Sequence, residues 1–257
     1  MPELPEVETT CRGIATTIKN QRLVDIIIRN RQLRWPIEAR LESKLRQQQV
    51  LSVSRRAKYI LLKTTKGTLI LHLGMSGCLK VVAKNHPHTK HDHVDLVLSH
   101  SIIRFNDPRR FGCLLYTEQP IQNHRLFASL GPEPLTNDFN TEYLYQRAQK
   151  SRSSIKPFIM NQFIVVGVGN IYANEALFIA KINPKRASNN ISRQRLAKLV
   201  MTIKMVLQKA IEAGGTTLKD FYASDGKPGY FSQQLQVYNR ANQACPICSN
   251  EIKKITN

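Results

Sequence analysis

The sequence lacks any stretch approaching the roughly 20 apolar residues that a transmembrane helix needs. Its first residues, MPELPEVETT, are acidic and contain proline, so they are not expected to act as a secretory signal. Cysteine is also scarce, and five cysteines, an odd number, do not make a disulfide framework. These absences predict a soluble protein of the cytoplasm, a reducing compartment, with no membrane partner.

Acidic residues are few, with 18 Asp and Glu against 38 Lys and Arg, which leaves a net charge of +20 over 257 residues. Such an excess favours a polyanionic partner, with nucleic acid first and an anionic membrane surface second. A ribosome-associated or merely basic protein is the alternative. The apolar fraction of 42% is ordinary for a globular protein, and the length suffices for two domains.

Two patterns divide the first half of the chain. Residues 3–20 carry Leu4, Val7, Cys11, Ile14 and Ile18 at helical spacing, in a segment that is short of capping residues. Short runs rich in β-branched and aromatic residues then indicate strands, and TTKGT and SHS read as hairpin turns. The predicted strands are 23–29, 50–54, 59–64, 68–73, 93–99 and 101–106. Their number and spacing favour a sandwich or flattened barrel.

Helical patterns dominate after about residue 132. Helices are predicted over 138–150 and from Ser192 through Ile211, where Gly214-Gly215 ends the second one. The glycine and prolines of GPEPLTND (131–138) predict a linker. LQVY (235–238) is predicted to be a strand.

Pro2 is the first candidate for covalent chemistry. A small second residue permits removal of the initiator Met, which leaves Pro2 with a free secondary amine. An α-amino group titrates near about pH 8, so part of it is neutral and nucleophilic at neutral pH. Attack on a sugar C1′ gives an iminium with no N–H to lose, which favours β-elimination of the 3′ phosphate. Glu3 stands next in the chain and could move protons, although Met-Pro-Glu alone is weak evidence.

A longer set of motifs is far more specific, because its members recur in order along nearly the whole chain. They are MPELPEVETTCRGI, RRAKYILL (55–62), HLGMSG (72–77), KHDHVDL (90–96), DPRRFG (107–112), VVGVGNIYANEALF (165–178) and TTLKDFYASDGKPGYF (216–231). Together they resemble the formamidopyrimidine-DNA glycosylases (8-oxoguanine DNA glycosylases). The resemblance implies a bifunctional glycosylase and abasic-site lyase, acting as a monomer on double-stranded DNA that contains oxidised purines.

The expected architecture is α+β. An N-terminal helix plus β-sandwich domain is expected over 1–131, a helix–two-turn–helix DNA-binding domain over 132–225, and a truncated zinc-finger-like hairpin over 226–257. The resemblance makes Pro2 the Schiff-base nucleophile and Glu3 the general acid. It places Glu6 beside the damaged nucleoside and Lys58 beside the reacting sugar and its phosphate. From the residues alone, Lys58 would be an ordinary exposed strand lysine.

A base inside duplex DNA must be extruded before its glycosidic bond can be reached, and the space it leaves must be filled. Met75, Arg109 and Phe111 match the family's void-filling set. An apolar wedge, an arginine for the orphaned opposite base and an aromatic ring suit that task. Without the resemblance, Met75 and Phe111 would more often be core residues. The charged run around Arg109 argues instead for a surface turn.

Phosphate contacts are expected from both halves of the chain. Asn170 follows two glycines and opens a helix-like stretch, an arrangement that presents backbone N–H groups to a phosphate. Arg152 and Lys156 precede it, and His91 is implied from the sheet domain, although a lone histidine is more often structural. TTLKDFYASDG (216–226), with Thr216, Thr217 and Lys219, matches the loop that closes over the extruded purine.

Cys245 and Cys248 form half of a zinc site, whereas structural zinc needs four ligands. The family has a second cysteine pair downstream, together with an arginine linked to δ-elimination, and no residue after Cys248 matches either. All seven histidines lie at or before His124. Zinc, expected for the family, is therefore doubtful here.

Three other functions compete with that of an oxidised-purine glycosylase. An endonuclease VIII-like enzyme would share the nucleophile but prefer oxidised pyrimidines, and PELPEVE with TTLKDF argues for the purine branch. A non-catalytic DNA-binding relic would have lost its chemistry, yet Pro2, Glu3 and Lys58 remain. A basic RNA-binding protein is disfavoured because no ribonucleoprotein signature is present.

Overall fold

The computed structural model describes residues 1–216 and 231–255, which divide into two compact units. The first takes in Met1–Ser129 and residues 213–216, and the second takes in Leu130–Glu212 and residues 231–255. The domain boundaries expected at 131/132 and 225/226 stay predictions, and the latter falls outside the described residues. Within the described ranges, no helix has the length and apolar character to cross a membrane.

Helix α1 (Leu4–Ile18) opens the first unit. The five apolar positions predicted to share one face are all buried. The expectation that the helix is short of caps was wrong, because Glu3 and Glu6 form a reciprocal capping box at its start. The Glu3 N–H donates to Glu6 Oε2 at 2.8 Å. The acidic first turn therefore supplies hydrogen-bond acceptors for backbone N–H groups that have no partner within the helix. Its negative charges also interact favourably with the helix dipole.

Eight strands and a short helix complete the first unit. They are β1 (Asp25–Ile28), α2 (Leu41–Leu45), β2 (Val50–Arg56), β3 (Tyr59–Thr64), β4 (Thr68–His72), β5 (Cys78–Ala83), β6 (Asp92–Val97), β7 (Ser101–Asn106) and β8 (Cys113–Thr117). The strands form two antiparallel sheets, ordered β1-β6-β7-β5 and β2-β3-β4-β8. All six predicted strands are confirmed. A single hydrophobic core takes side chains from both sheets and α1, as a sandwich requires.

Two connections pass from one sheet to the other at the same place. Residues 73–77 join β4 to β5, and residues 107–112 join β7 to β8. Strand register pairs His72 with Cys113 and Cys78 with Asn106. Because both ends of one loop are paired with both ends of the other, the two crossover loops lie side by side.

The second unit is helical. Its helices are α3 (Thr141–Gln149), α4 (Ile155–Met160), α5 (Asn170–Ala180) and α6 (Arg193–Glu212). The helices predicted over 138–150 and 192–211 are confirmed, and the apolar stripe of α6 is buried. Gly214 and Gly215 follow α6 with φ of +77° and +85°, a conformation that glycine adopts at little cost.

The prediction of a strand at 235–238 was wrong. The amide groups of Gln236, Val237 and Tyr238 donate at 2.8, 2.9 and 2.8 Å to the Glu175 carboxylate on α5. Donors committed to one carboxylate cannot take part in a strand ladder. In the described part of the C-terminal segment, an isolated antiparallel bridge joins Ala244 to Glu251.

Candidate active site

The start of the chain is packed into the first unit. Met1 is 43% exposed, whereas Pro2 is buried and the Glu3 and Glu6 residues are each 2% exposed. Glu6 holds two segments at once, because its Oε2 accepts the Glu3 N–H and its Oε1 accepts the Thr216 N–H, each at 2.8 Å. Its carboxylate therefore fixes the chain beside Pro2 and also fixes the residue that begins the predicted lid.

Lys58 belongs to the turn that joins β2 to β3, and it is not the exposed strand lysine that its residue type alone suggested. Ala57 has φ of +55° in this turn and is buried. Arg55 braces the turn, donating from Nη1 to the Ala57 carbonyl and from Nε to Glu8 Oε2 of α1, both at 3.0 Å. The turn is thus fastened to the helix that follows Pro2.

The Lys58 ammonium is half-buried, and burial lowers its pKa, while the Glu3 and Glu6 carboxylates act in the opposite direction. Lys58 therefore lies within the electrostatic reach of both acids. A lysine whose burial favours the neutral amine and whose neighbours favour the cation is suited to exchange protons or hold a phosphate. The structure brings Glu3, Glu6, Lys58 and Thr216 together, with Pro2 adjacent in the chain.

The two crossover loops carry the three residues matched to void filling. Met75 is 41% exposed and Phe111 is 44% exposed, so neither belongs to the core. The Arg109 guanidinium carbon lies 4.7 Å from the centre of the Phe111 ring. All three side chains are therefore accessible to a partner from solvent.

Backbone contact keeps the crossover loops together. Gly74 has φ of +67°, and a Cβ at this position would lie 2.4 Å from the Gly112 nitrogen. The Gly74 N–H donates to Nδ1 of His72 at 2.9 Å, which requires that nitrogen to be unprotonated. Burial, followed by the charges of Arg34 and Lys58, lowers the His72 pKa to about 4 and so maintains the neutral acceptor.

Asp107, at the base of the second loop, is fully buried, and His91 lies beside it. The Asp107 N–H donates to the His91 carbonyl at 3.0 Å, which places the predicted phosphate ligand next to the void-filling loops. His91 itself is half-buried. Sequence reasoning did not single out Asp107 as functional, although Asp before Pro at a strand end is a turn signal.

The second unit holds the other predicted phosphate ligands. Asn170 is exposed and is the first residue of α5, capped by Gly169. Gly167, with φ of +80°, permits the turn before it. Arg152 is exposed just before α4, and Lys156 is half-buried on α4. The N-terminus of α5 and its helix dipole suit an anionic group.

Cys245 and Cys248 occupy a turn in which the Cys245 N–H donates to the Asn250 carbonyl at 2.7 Å. Amides of Ile247 and Cys248 lower the pKa of the Cys245 thiol, as a metal-binding turn does. However, the described residues contain no group of three or more His, Cys, Asp or Glu placed to hold a metal ion. Two thiols do not fit the four-ligand site that structural zinc requires, so zinc binding is not shown.

The remaining predicted lid residues, Thr217 and Lys219, lie outside the described residues. Glu175 was also missed by sequence reasoning. Its signal is a single carboxylate inside the otherwise uncharged stretch NIYANEALFIA, where a buried charge needs hydrogen-bond partners.

Comparison with known proteins agrees with this arrangement. Residues 1–114 match the model of the formamidopyrimidine-DNA glycosylase N-terminal domain, and residues 130–222 match that of the formamidopyrimidine-DNA glycosylase H2TH domain. The chain is 56% identical over 256 residues to formamidopyrimidine-DNA glycosylase of Hydrogenovibrio crunogenus, covering 99% of this chain and 91% of that protein.

Solved structures agree as well. A Lactococcus lactis FPG mutant bound to Fapy-dG containing DNA superimposes with a TM-score of 0.92 at 32% identity, covering 100% of this chain and 95% of that one. The Lactococcus lactis Fpg bound to abasic-site DNA gives 0.91 at 32% identity, covering 99% and 94%. Fold and site define a protein of the helix–two-turn–helix class with an N-terminal helix and β-sandwich. The chain belongs to the formamidopyrimidine-DNA glycosylase family.

Proposed function

We propose that this protein is a base-excision DNA glycosylase that removes oxidised purines and then cleaves the abasic strand through a Schiff base at Pro2. The observation that carries the proposal is the acid and lysine cluster at the start of α1, in a chain of this family. Lys58 interacts electrostatically with Glu3 and Glu6, and Glu3 is adjacent in the chain to Pro2, whose secondary amine is released when Met1 is removed.

Removal of Met1 creates the nucleophile. Met1 is exposed, whereas Pro2 is buried within the first unit, so the freed amine belongs to a packed segment that continues directly into Glu3. The Pro2 nitrogen attacks the sugar C1′ and displaces the base, which takes a proton from Glu3, and the Pro2 nitrogen then gives its own proton to the Glu3 carboxylate. The C1′–O4′ bond of the sugar ring opens as O4′ takes that proton from Glu3, which leaves C1′ double-bonded to the Pro2 nitrogen. The resulting iminium carries a permanent positive charge, because a tertiary iminium nitrogen has no proton to lose. Loss of the C2′ proton then expels the 3′ phosphate by β-elimination.

Glu6 and Lys58 support these steps in different ways. Glu6 holds the Glu3 backbone and the Thr216 backbone, so it keeps the acid and the start of the lid in register. Lys58, in the braced turn between β2 and β3, binds the phosphate of the reacting sugar and assists elimination. Thr216, with Thr217 and Lys219, begins the loop that closes over the extruded purine.

DNA binding uses the other predicted residues. Met75, Arg109 and Phe111 fill the space left by the extruded nucleotide, while His91, Arg152, Lys156 and Asn170 contact phosphates. The net charge of +20 supports binding to duplex DNA, with a strong salt dependence. We expect a monomer that works in the cytoplasm on the chromosome. No step is assigned to zinc.

The direct test is borohydride trapping on duplex DNA containing 8-oxoguanine. The wild-type protein should give a covalent adduct and a cleaved strand, and Pro2→Gly should give neither. Pro120→Ala, at an exposed proline of the same unit, is the matched control and should behave as wild type. Tight binding by the wild type without an adduct would mean a DNA-binding protein without catalysis.

The lesion preference needs a separate panel. Duplexes carrying 8-oxoguanine, a formamidopyrimidine or thymine glycol should be compared under single-turnover conditions. Faster release of both purine lesions is expected. Preferential release of thymine glycol would transfer the protein to the oxidised-pyrimidine branch while leaving the Pro2 chemistry intact.

A further inference from the structure

We propose that Asp107 is a positioning residue for base extrusion: its buried carboxylate joins the two crossover loops and so sets where Met75, Arg109 and Phe111 stand. The proposal rests on the void-filling role assigned to those three side chains. Asp107 itself contacts neither base nor sugar in this account.

The hydrogen bonds of Asp107 reach both loops. Its residue exposure is 0%. One carboxylate oxygen, Oδ1, accepts the Ser76 hydroxyl of the first loop at 3.3 Å. The other, Oδ2, accepts the Gly112 N–H at the end of the second loop at 2.7 Å. Ser76 follows Met75 and Gly112 follows Phe111, so each bond fixes the residue next to a void-filling side chain.

The main chain of Asp107 is anchored as firmly as its side chain. Its carbonyl accepts from the Arg110 N–H at 3.2 Å and contacts Nε2 of the buried His93 ring at 2.8 Å. Arg110 has φ of +56°, so the chain reverses sharply at this point. Pro108, Arg109 and Arg110 are exposed to solvent, and the residue that precedes them is hydrogen-bonded to the sheet.

Exposed apolar side chains need such a rigid support, because a side chain can insert between stacked DNA bases only if it is held in the correct position. A wedge that can fold back onto its own surface loses the contacts that offset unstacking. The close contact at Gly74 fixes the distance between the loops, and the Asp107 carboxylate fixes the position of Ser76 relative to Gly112. Both constraints act before DNA arrives, which is the condition for preorganised recognition.

The experiment compares two reactions of each variant. Excision of 8-oxoguanine from duplex requires extrusion, whereas borohydride trapping on a preformed abasic site in single-stranded DNA requires only the Pro2 chemistry. The informative quantity is the ratio of the first rate to the second. A loss of fold would lower both rates together, and melting temperatures recorded in parallel measure that loss.

Asp107→Ala should lower the ratio at least tenfold, with trapping on the single strand within about twofold of wild type. Asp107→Asn should restore most of the ratio, since its Oδ1 can accept from Gly112 while its amide donates to the Ser76 hydroxyl. Thr64→Ala is the control. It removes a buried hydroxyl that donates to the Gly67 carbonyl at 3.0 Å, at the other end of β4, and should leave the ratio unchanged.

An unchanged ratio in a folded Asp107→Ala variant would overturn the proposal. If Asp107→Ala does not fold, Ser76→Ala decides: a ratio lowered at least threefold supports the bridge, and an unchanged ratio contradicts it. Failure of the wild type to form any adduct on the abasic strand would instead refute the proposed function. That result is separate because it does not depend on any Asp107 variant.

Discussion

Two regions of the molecule are held by buried carboxylates, and they differ in what else holds them. The crossover loops of the first unit are bounded by paired strands at all four ends, and Asp107 adds two hydrogen bonds between them. The segment 235–238 of the second unit has no strand ladder, and Glu175 takes three of its amides.

The comparison shows two different roles for a buried carboxylate: Asp107 adjusts the geometry of loops that are already in place, whereas Glu175 attaches a segment to the rest of its unit. Strand register already brings the crossover loops side by side, so Asp107 adjusts a geometry that the sheets impose. Glu175 takes the place of a ladder, because a carboxylate receiving three backbone N–H groups makes charge-assisted bonds that are stronger than neutral ones. Loss of Asp107 should therefore impair one reaction, whereas loss of Glu175 should release a segment.

The largest effect is expected at Gly74, where the loops touch. Gly74→Ala forces alanine into a left-handed conformation and puts its Cβ 2.4 Å from a backbone nitrogen. We expect a loss of about 3 kcal/mol of unfolding free energy from strain and overpacking, and failure of duplex excision. Gly13→Ala inside α1, which should be neutral or slightly stabilising, is the control for urea unfolding. Equal stability of the two variants would mean that the loop contact is loose.

Glu175→Gln tests the attachment. Oε1 accepts the Val237 and Tyr238 amides and Oε2 accepts that of Gln236, so an amide group would face at least one of these donors. We expect the free energy of local opening of this segment to fall by about 2 kcal/mol. Hydrogen exchange at these amides should therefore be roughly 30-fold faster. Glu142→Gln, at an exposed residue of α3, should leave their exchange unchanged. Unaltered exchange in Glu175→Gln would mean that other contacts hold segment 235–238 in place.

His72 gives a pH dependence that belongs to the first region alone. Its pKa is about 4 in the folded protein against an ordinary 6.5, so between these values the unfolded chain binds a proton that the folded chain does not. The stabilisation is full above about pH 6.5 and is lost as the pH falls towards 4, with a limiting slope of about 1.4 kcal/mol per pH unit. As the pH falls from 6.5 to 4, the unfolding free energy of the wild type should decrease more steeply than that of His72→Asn. Parallel curves would contradict the assignment.

Arg152→Gln should have the smallest effect. This exposed arginine is proposed to contact one phosphate, so its loss should reduce the slope of log affinity against log salt by about one without changing the lesion preference. Arg12→Gln, on the exposed face of α1, is the control and should leave the slope unchanged. A changed lesion preference would place Arg152 in recognition of the base.

Sequence periodicity predicted α1 and α6, whose burial is one-sided, and residue composition predicted six of the eight strands but not β5 or β8. It failed at 235–238, because alternation describes side chains and cannot reveal that a distant carboxylate has taken the backbone donors. The residues of the site came from motif resemblance, and Lys58 shows why: its residue type predicted an exposed strand position. Asp107 and Glu175 each carry a sequence signal, but the groups to which they are hydrogen-bonded cannot be read from the residue pattern.

The most direct test of the central claim is to locate the covalent bond. After borohydride trapping on lesion-bearing duplex, digestion and peptide mass mapping should find the sugar remnant on Pro2, in a chain that has lost Met1. Lys58 is the competing amine, since burial lowers its pKa. A remnant on Lys58, or an adduct formed by a chain that retains Met1, would contradict the account.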